Sequence, residues 1–190
     1  MGKEYIESKT FDKIDFTKTS FEKGEYETCT FTNCNFSSVD LSSDGFIDCD
    51  FRDCNLSMVK LAKTSLKEVK FKDCKIIGAR FDECQEFLFA VSFENCILNL
   101  SSFYRRKMKG TRLHDCSLHE VDFTEADVSQ SLFDQCDLMG AIFDNTILEK
   151  ADFRTAHNYS INPESNYIKK ARFSIEGIAG LLDKYDIDII

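Results

Sequence analysis

The sequence predicts an all-β solenoid wound in coils of twenty residues, and three observations carry that prediction. A large apolar residue returns at every fifth position from Ile6 through Phe11, Phe16, Phe21 and Tyr26 to Phe81, and again from Leu88 to Phe153. Neither a helix nor a strand sustains a period of five. The position two residues before each beat is mostly small, as in Cys29, Cys34, Val39, Cys49, Cys54, Val59 and Thr64. The other three positions are mostly Asp, Asn, Ser, Thr, Lys and Glu, so two positions in five face inward and three outward. Finally, every fourth beat forms a column with its own character. One reads Phe11, Phe31, Phe51, Phe71, Phe93, Leu113, Phe133, Phe153, Phe173, and another Phe16, Phe36, Leu56, Ile76, Leu98, Leu118, Leu138. Like residues would then stack on like between coils ~4.8 Å apart.

Quintets such as Cys34-Asn35-Phe36-Ser37-Ser38, Ala126-Asp127-Val128-Ser129-Gln130 and Ala151-Asp152-Phe153-Arg154-Thr155 resemble the pentapeptide-repeat family, over roughly residues 4 to 173. The resemblance implies a right-handed quadrilateral β-helix with four quintets per coil. About seven to eight coils follow, in a rod roughly 36 Å long. Residues 1–173 are assigned to this helix and residues 174–190 to a C-terminal helix and tail.

Along the chain, Phe81 and Leu88 are seven apart, which places a two-residue insertion near 84–87 and a bulged corner there. Counting resumes at Leu88, so Glu86 and Arg106 fall in one inward column, where buried charges need partners; they are expected to pair or to reach water at a local bulge. In residues 156–167 the beat meets Asn158 and Pro163, so that coil is irregular, and it recovers at Ile168 and Phe173. Ser174 then serves as an N-cap for a short capping helix whose apolar stripe is Ile175, Ile178, Leu181, Leu182 and Tyr185. Such a helix covers the open end of the core. The tail Asp186-Ile187-Asp188-Ile189-Ile190 alternates like a short strand. With the stripe, Ile187 and Ile189 make this end a candidate contact for a two-fold homodimer.

Composition narrows the function. The net charge of −9 disfavours nucleic-acid or anionic-membrane binding and permits a partner with a basic surface. No apolar run is long enough for a membrane span, and no signal peptide is seen. The odd number of cysteines, nine, argues against a secreted disulfide framework, so a cytoplasmic location is expected. Six of them, Cys34, Cys54, Cys74, Cys96, Cys116 and Cys136, form one column. They read as small buried thiols, because a linear ladder suits neither disulfides nor a convergent metal site. His114, His119 and His157 read as surface residues, and the run Tyr104-Arg105-Arg106-Lys107 as a solvated face or a contact to nearby carboxylates. No phosphate loop, nucleophile motif or zinc spacing occurs, so neither enzymatic activity nor a cofactor is expected.

Charge is laid out along the rod. Residues 60–80 carry a net of +5, whereas residues 111–153 carry ten carboxylates against Arg112 and Lys150. Asp115, Glu120, Asp122, Glu125, Asp127, Asp134, Asp137 and Asp144 are therefore the candidate partner-binding surface. The chain resembles the quinolone-resistance, gyrase-protecting members of the family. That resemblance implies an acidic, C-terminally dimerised mimic of duplex DNA that docks on DNA gyrase or topoisomerase IV. A scaffold for another protein partner is the alternative.

Overall fold

The structure, a computed structural model, describes residues 4–188. It is a parallel β-solenoid of about eight coils, the right-handed quadrilateral helix that the repeat implied. One face carries a four-stranded sheet of β1 (Glu4–Glu7), β3 (Gly24–Glu27), β5 (Gly45–Ile47) and β7 (Ser65–Lys67). The next face carries nine strands. These are β2 (Thr10–Asp12), β4 (Thr30–Thr32), β6 (Asp50–Arg52), β8 (Val69–Lys72), β9 (Val91–Glu94), β10 (Arg112–His114), β11 (Leu132–Asp134), β12 (Asp152–Phe153) and β13 (Arg172–Phe173). The other two faces are joined by single parallel bridges such as Asn35 to Asn55 and Ser102 to Asp122.

The twenty-residue register follows from the apolar columns. Phe11 pairs with Phe31, Phe31 with Phe51 and Phe51 with Phe71, so each ring lies on the equivalent ring of the next coil. Phe133 and Phe153 stack at 4.5 Å with their planes 10° apart. Neighbouring columns meet edge to face, as Phe123 does with Phe133 at 5.9 Å. A one-residue slip would turn these rings to solvent, which is why the register is firmly specified.

The small inward column has a polar duty as well as a packing one. Cys54 Sγ donates to the Phe31 carbonyl, Cys74 Sγ to that of Phe51 and Cys96 Sγ to that of Phe71, each at 3.4 Å. Thr64 and Ser101 hydroxyls do the same for Leu41 and Ile76 at 2.7 and 2.8 Å. Cysteine, serine and threonine recur here because each is small enough to be buried and carries one donor. All nine thiols are free and buried. Burial pushes Cys49 and Cys84 up to about 12, and thiolate is the reactive form. The native protein should therefore resist a disulfide-exchange reagent, with all nine thiols released on adding guanidinium. Rapid native labelling would contradict this.

Most corners turn without glycine, the exceptions among the described residues being Gly78, Gly110 and Gly140. Ser38, Ser43, Asp48, Asp53, Met58, Lys63, Glu68 and Asp73 all have φ between 47° and 66°. Left-handed backbone costs a non-glycine residue about 1–2 kcal/mol, and the flanking sequence offsets part of that. Asn35, Asp40, Asn55, Asp122 and Asp127 each accept a hydrogen bond from the backbone N–H two residues on, an Asx turn that steers the chain around the corner.

Two expectations at the insertion are corrected. The chain leaves the ladder after Cys84, not before it: Cys84 is buried at the inward position one coil from Thr64, while Glu86 is exposed. The register then moves from twenty to twenty-two, with Val69 paired to Val91. Leu88 does not resume the core beat. It is 62 % exposed with φ +57°, and its neighbour Phe89 packs on the core instead. Glu86 and Arg106 form no ion pair. Arg106 is only 5 % exposed and donates through Nη2 to the carbonyls of Asp82 and Cys84, with its guanidinium 5.3 Å from the Phe89 ring. Arg106 thus follows Thr64 and Cys84 in this column and supplies side-chain donors to carbonyls beside the insertion.

In the irregular coil, Tyr159 and Ile161 are buried where the beat would place Asn158 and Pro163. The C-terminal segment is helical, but as two 3-10 turns, Ile178–Leu181 and Asp183–Tyr185. Ser174 Oγ accepts from the Gly177 N–H at 3.0 Å, as an N-cap does. The expected single stripe is split. Leu181 packs against the core and Leu182 is half-buried, whereas Ile175, Ile178 and Tyr185 are exposed. Three residues per turn rotate side chains differently from 3.6, and Gly177 and Gly180 lie too close to Tyr159 for a side chain. Asp186–Asp188 forms no strand, and Ile189 and Ile190 lie outside the described residues.

Candidate protein-interaction surfaces

The eight carboxylates of the acidic coils are distributed around the rod by the repeat itself. Asp134 lies on β11, and Asp115 immediately follows β10. Asp137 belongs to the column of bridges that includes Ser117 and His157, with Glu120 at the following corner. Asp122 bridges Ser102 and Ile142, with Glu125 and Asp144 on the same side of the rod, and Asp127 bridges Lys107 and Ile147 on the fourth. The structure thus brings Asp122, Glu125 and Asp144 onto one face, Asp115 and Asp134 onto a second and Glu120 and Asp137 onto a third, with Asp127 on the fourth.

Their electrostatics differ. Glu125 is held bidentately by Arg105, with Nε 2.7 Å and Nη2 3.2 Å from its two oxygens, and the arginine lowers its pKa. Asp134 lies 2.8 Å from His114 Nδ1 and accepts from Thr155 Oγ1 at 2.7 Å. Asp137 accepts from Asn158 Nδ2 and contacts His119 Nε2, both at 2.8 Å, with His157 Nε2 at 3.9 Å. Partial burial pushes Asp137 upward, but these hydrogen bonds prevail and its pKa is lowered. Asp115, Glu120, Asp122, Asp127 and Asp144 have no ion-pair partner among the described residues. The surface histidines are therefore less bland than their sequence context implied: two of them share one aspartate across successive coils. Among the described residues no group of His, Cys, Asp or Glu is placed to hold a metal ion.

The lowered carboxylates fix the sign of the acid response. Asp15, held near 2 by Thr17 and Lys18, joins Asp40, Asp134, Asp137 and Asp152 in having a folded value below its ordinary one. Groups depressed in the folded state stabilise it fully above the unfolded value of about 3.9. That contribution is lost as pH falls through the folded values. The thermal midpoint should be level from about pH 7 to 5 and drop below about pH 4, with Asp137→Asn showing a shallower drop. A midpoint unchanged down to pH 2 would refute the assignment.

At the C-terminal end, Lys184 pairs with Glu164, and Tyr185 Oη donates to the same carboxylate at 3.0 Å. The Ile161 N–H donates to the Gly180 carbonyl at 2.8 Å. The cap is thus tied to the last coil from both sides, and Ile175, Ile178, Tyr185 and Ile187 face outward from it.

Stacked pentads, four to a coil, with inward thiols and phenyl rings, define a β-solenoid class built by repetition. This chain belongs to the pentapeptide-repeat family: the family described as a pentapeptide repeat region matches residues 24–86 and 87–158. Among solved structures, full-length QnrB1, a plasmid-mediated fluoroquinolone resistance protein, is 15 % identical, with 97 % of this chain and 100 % of that chain covered and a TM-score of 0.53. HetL, a pentapeptide repeat protein involved in heterocyst differentiation regulation from the cyanobacterium Nostoc sp. strain PCC 7120, is 15 % identical over 93 % of this chain and 87 % of that one, with a TM-score of 0.36. A pentapeptide repeat protein from the Arabidopsis thaliana thylakoid lumen is 16 % identical over 78 % and 88 %, with a TM-score of 0.39. At these identities the likeness shows the fold alone. No curated protein sequence matches the chain, and no helix among the described residues is long and apolar enough to cross a membrane.

Proposed function

We propose that this protein is a non-enzymatic protein-interaction module, cytoplasmic, that uses its acidic C-terminal coils against a basic partner surface. The specific reading is a DNA mimic acting on DNA gyrase or topoisomerase IV, dimerised through the capped C-terminal end. The observation that supports it most is the set of five carboxylates without ion-pair partners among the described residues, Asp115, Glu120, Asp122, Asp127 and Asp144, on coils stacked in a regular twenty-residue register. Carboxylates at coil spacing can then stand in for backbone phosphates. The outward Ile175, Ile178 and Ile187 supply an apolar patch for a two-fold joint, which would place two acidic stretches beside each other.

A second reading, a scaffold for another partner with no topoisomerase role, is favoured by two observations. Three of the eight carboxylates are occupied by Arg105, His114 and His119. The acids also lie on all four faces rather than one. A gyrase supercoiling assay with and without a fluoroquinolone decides between the readings. The mimic predicts inhibition or protection that weakens about tenfold when Asp122, Asp127 and Asp144 are changed together to Asn, as charge-dependent docking requires. Absence of inhibition, of protection and of gyrase retention at low salt would leave the scaffold.

A further inference from the structure

The insertion creates a second surface, of the opposite sign. The corner column beside it reads Asp48, Glu68, Ala90, Gly110, Gln130, so the outward side chain shrinks to a methyl and then to hydrogen in two successive coils. Gly110 has φ +74°, and a Cβ built on it would meet nothing within 4 Å. The result is an open groove of about 340 Å³ crossing three coils, with Phe89, Lys70, Lys107, Lys109 and Arg112 among its lining residues. Lys70 is 3.3 Å from Asp48, but Lys107, Lys109 and Arg112 have no ion-pair partner among the described residues. In a chain of net charge −9, a cluster of cations left unneutralised is a local field that salt screens only beyond about 8–10 Å.

Next to the groove the inserted residues hold two apolar side chains in solvent: Phe87 is 71 % and Leu88 62 % exposed. They are not on a loose tip. The Lys67 ammonium lies 5.5 Å from the Phe87 ring, and Arg106 ties down the loop from beneath through the Asp82 and Cys84 carbonyls and Phe89. An apolar pair presented by an already ordered loop loses little entropy on binding. Apolar anchors beside a charged rim are the usual anatomy of a protein-recognition patch.

We propose that this groove docks an acidic segment of a partner protein, with Phe87 and Leu88 holding a large apolar side chain and Lys70, Lys107, Lys109 and Arg112 its carboxylates. The inference rests on the reading of the protein as an interaction module and adds a surface distinct from the acidic coils. A polyphosphate chain fits less well, because Glu68 lines the same groove and Glu83 and Glu86 are exposed on the adjoining segment. A peptide can space its charges around those carboxylates and a nucleic-acid backbone cannot.

Fluorescence anisotropy on the full chain tests this with three labelled probes. They are a Glu/Asp peptide containing one Phe and one Leu, the same peptide with Ser at both apolar positions, and a single-stranded oligonucleotide of equal charge. The first should bind saturably at low salt, at least roughly tenfold tighter than the second, and weaken as salt rises. Lys107→Glu with Lys109→Glu should abolish binding. Phe87→Ser with Leu88→Ser should reduce it about tenfold with an unchanged thermal melt, since both side chains are exposed. Failure of saturable binding, equal affinity for the Ser peptide, tighter binding of the oligonucleotide, or indifference to the lysine changes would each overturn the proposal. So would salt-sensitive self-association, by sedimentation, that those lysine changes abolish. Gyrase assays on the lysine variant separate the two readings: a topoisomerase effect carried by the acidic coils survives Lys107→Glu with Lys109→Glu, whatever the peptides do.

Discussion

Phe123→Ala is expected to lower the unfolding free energy by roughly 3–5 kcal/mol, the range for deleting a fully buried phenyl ring. Phe123 is completely buried. Its ring stacks between Phe103 at 5.4 Å and Phe143 at 5.1 Å, and meets Phe133 edge-on at 5.9 Å. The neighbouring coils are fixed by their own backbone ladders, so they cannot close over the void, and the cavity penalty adds to the lost transfer energy. For a chain of this size the thermal midpoint should fall by roughly 10 °C. Phe21 supplies the internal control. It lies in the first coil and is half-buried; its own column continues with Leu41 rather than a ring, and its aromatic contacts are to Phe16 and Tyr26 beside it at 5.2 and 5.1 Å and to Phe31, Phe36 and Phe46 of the next turns at 5.7–6.5 Å. Phe21→Ala should lose less than half as much, because part of that ring is already in water and its end of the rod can relax. Urea denaturation of both variants decides the matter, and equal losses would refute the view that coil-on-coil stacking carries the stability.

Periodicity made the core legible because a solenoid repeats one local problem. Each inward residue meets the same neighbours one coil away, so the column of Phe11, Phe31, Phe51 and Phe71 in the sequence is the column of paired strands in the structure. Where the repeat breaks, counting fails for an identifiable reason. A seven-residue gap says that two residues are extra but not where the chain leaves the ladder. The structure puts the departure after Cys84, so Thr64, Cys84 and Arg106 share a column and Glu86 goes to water. Charge in an inward column, with Arg106 at one of its positions, is the anomaly visible in the sequence. What the structure adds, that Arg106 donates to the Asp82 and Cys84 carbonyls beside the insertion, depends on backbone geometry that no spacing encodes. The C-terminal stripe failed similarly, since 3.6 periodicity was assumed in a segment that winds at three residues per turn.

The candidate surface was legible as charge and illegible as availability. Asp122 and Asp127 are outward acids, yet each also accepts a backbone N–H at its corner. Asn35 and Asn55 fill the same role elsewhere without charge. The corner demands a short acceptor there, and Asp satisfies it as well as Asn does. Some of the acidity is thus a by-product of turning corners without glycine. The charge that the fold does not require is the informative part, which is why Asn substitutions, which keep the turn and remove the charge, are the right probe of the acidic coils.

Gly180→Ala should release the C-terminal cap and lose about 1–3 kcal/mol, the range for forcing atoms into a filled site. A Cβ at Gly180 would lie 2.0 Å from the Tyr159 carbonyl oxygen and 3.0 Å from its ring, and the first of these is backbone, which cannot rotate away. Tyr159 is itself fixed. It is buried, its ring lies 5.6 Å from Phe173 and 5.9 Å from Phe153, and the Ile161 N–H two residues on is committed to the Gly180 carbonyl. The 3-10 segment must therefore move, giving up that hydrogen bond, the Leu181 packing and the two contacts of Glu164 to Lys184 and Tyr185. Gly110→Ala separates crowding from conformation. Its φ of +74° strains any side chain, but the space around it is empty, so it should lose only about 1 kcal/mol and leave the cap in place. Limited chymotrypsin digestion reads the difference directly, with cleavage near Tyr185 accelerated in Gly180→Ala and unchanged in Gly110→Ala. If the C-terminal end is also the dimer joint, Gly180→Ala should shift sedimentation toward monomer while Gly110→Ala should not, because the outward isoleucines keep their positions only while the segment beneath them stays seated on Tyr159.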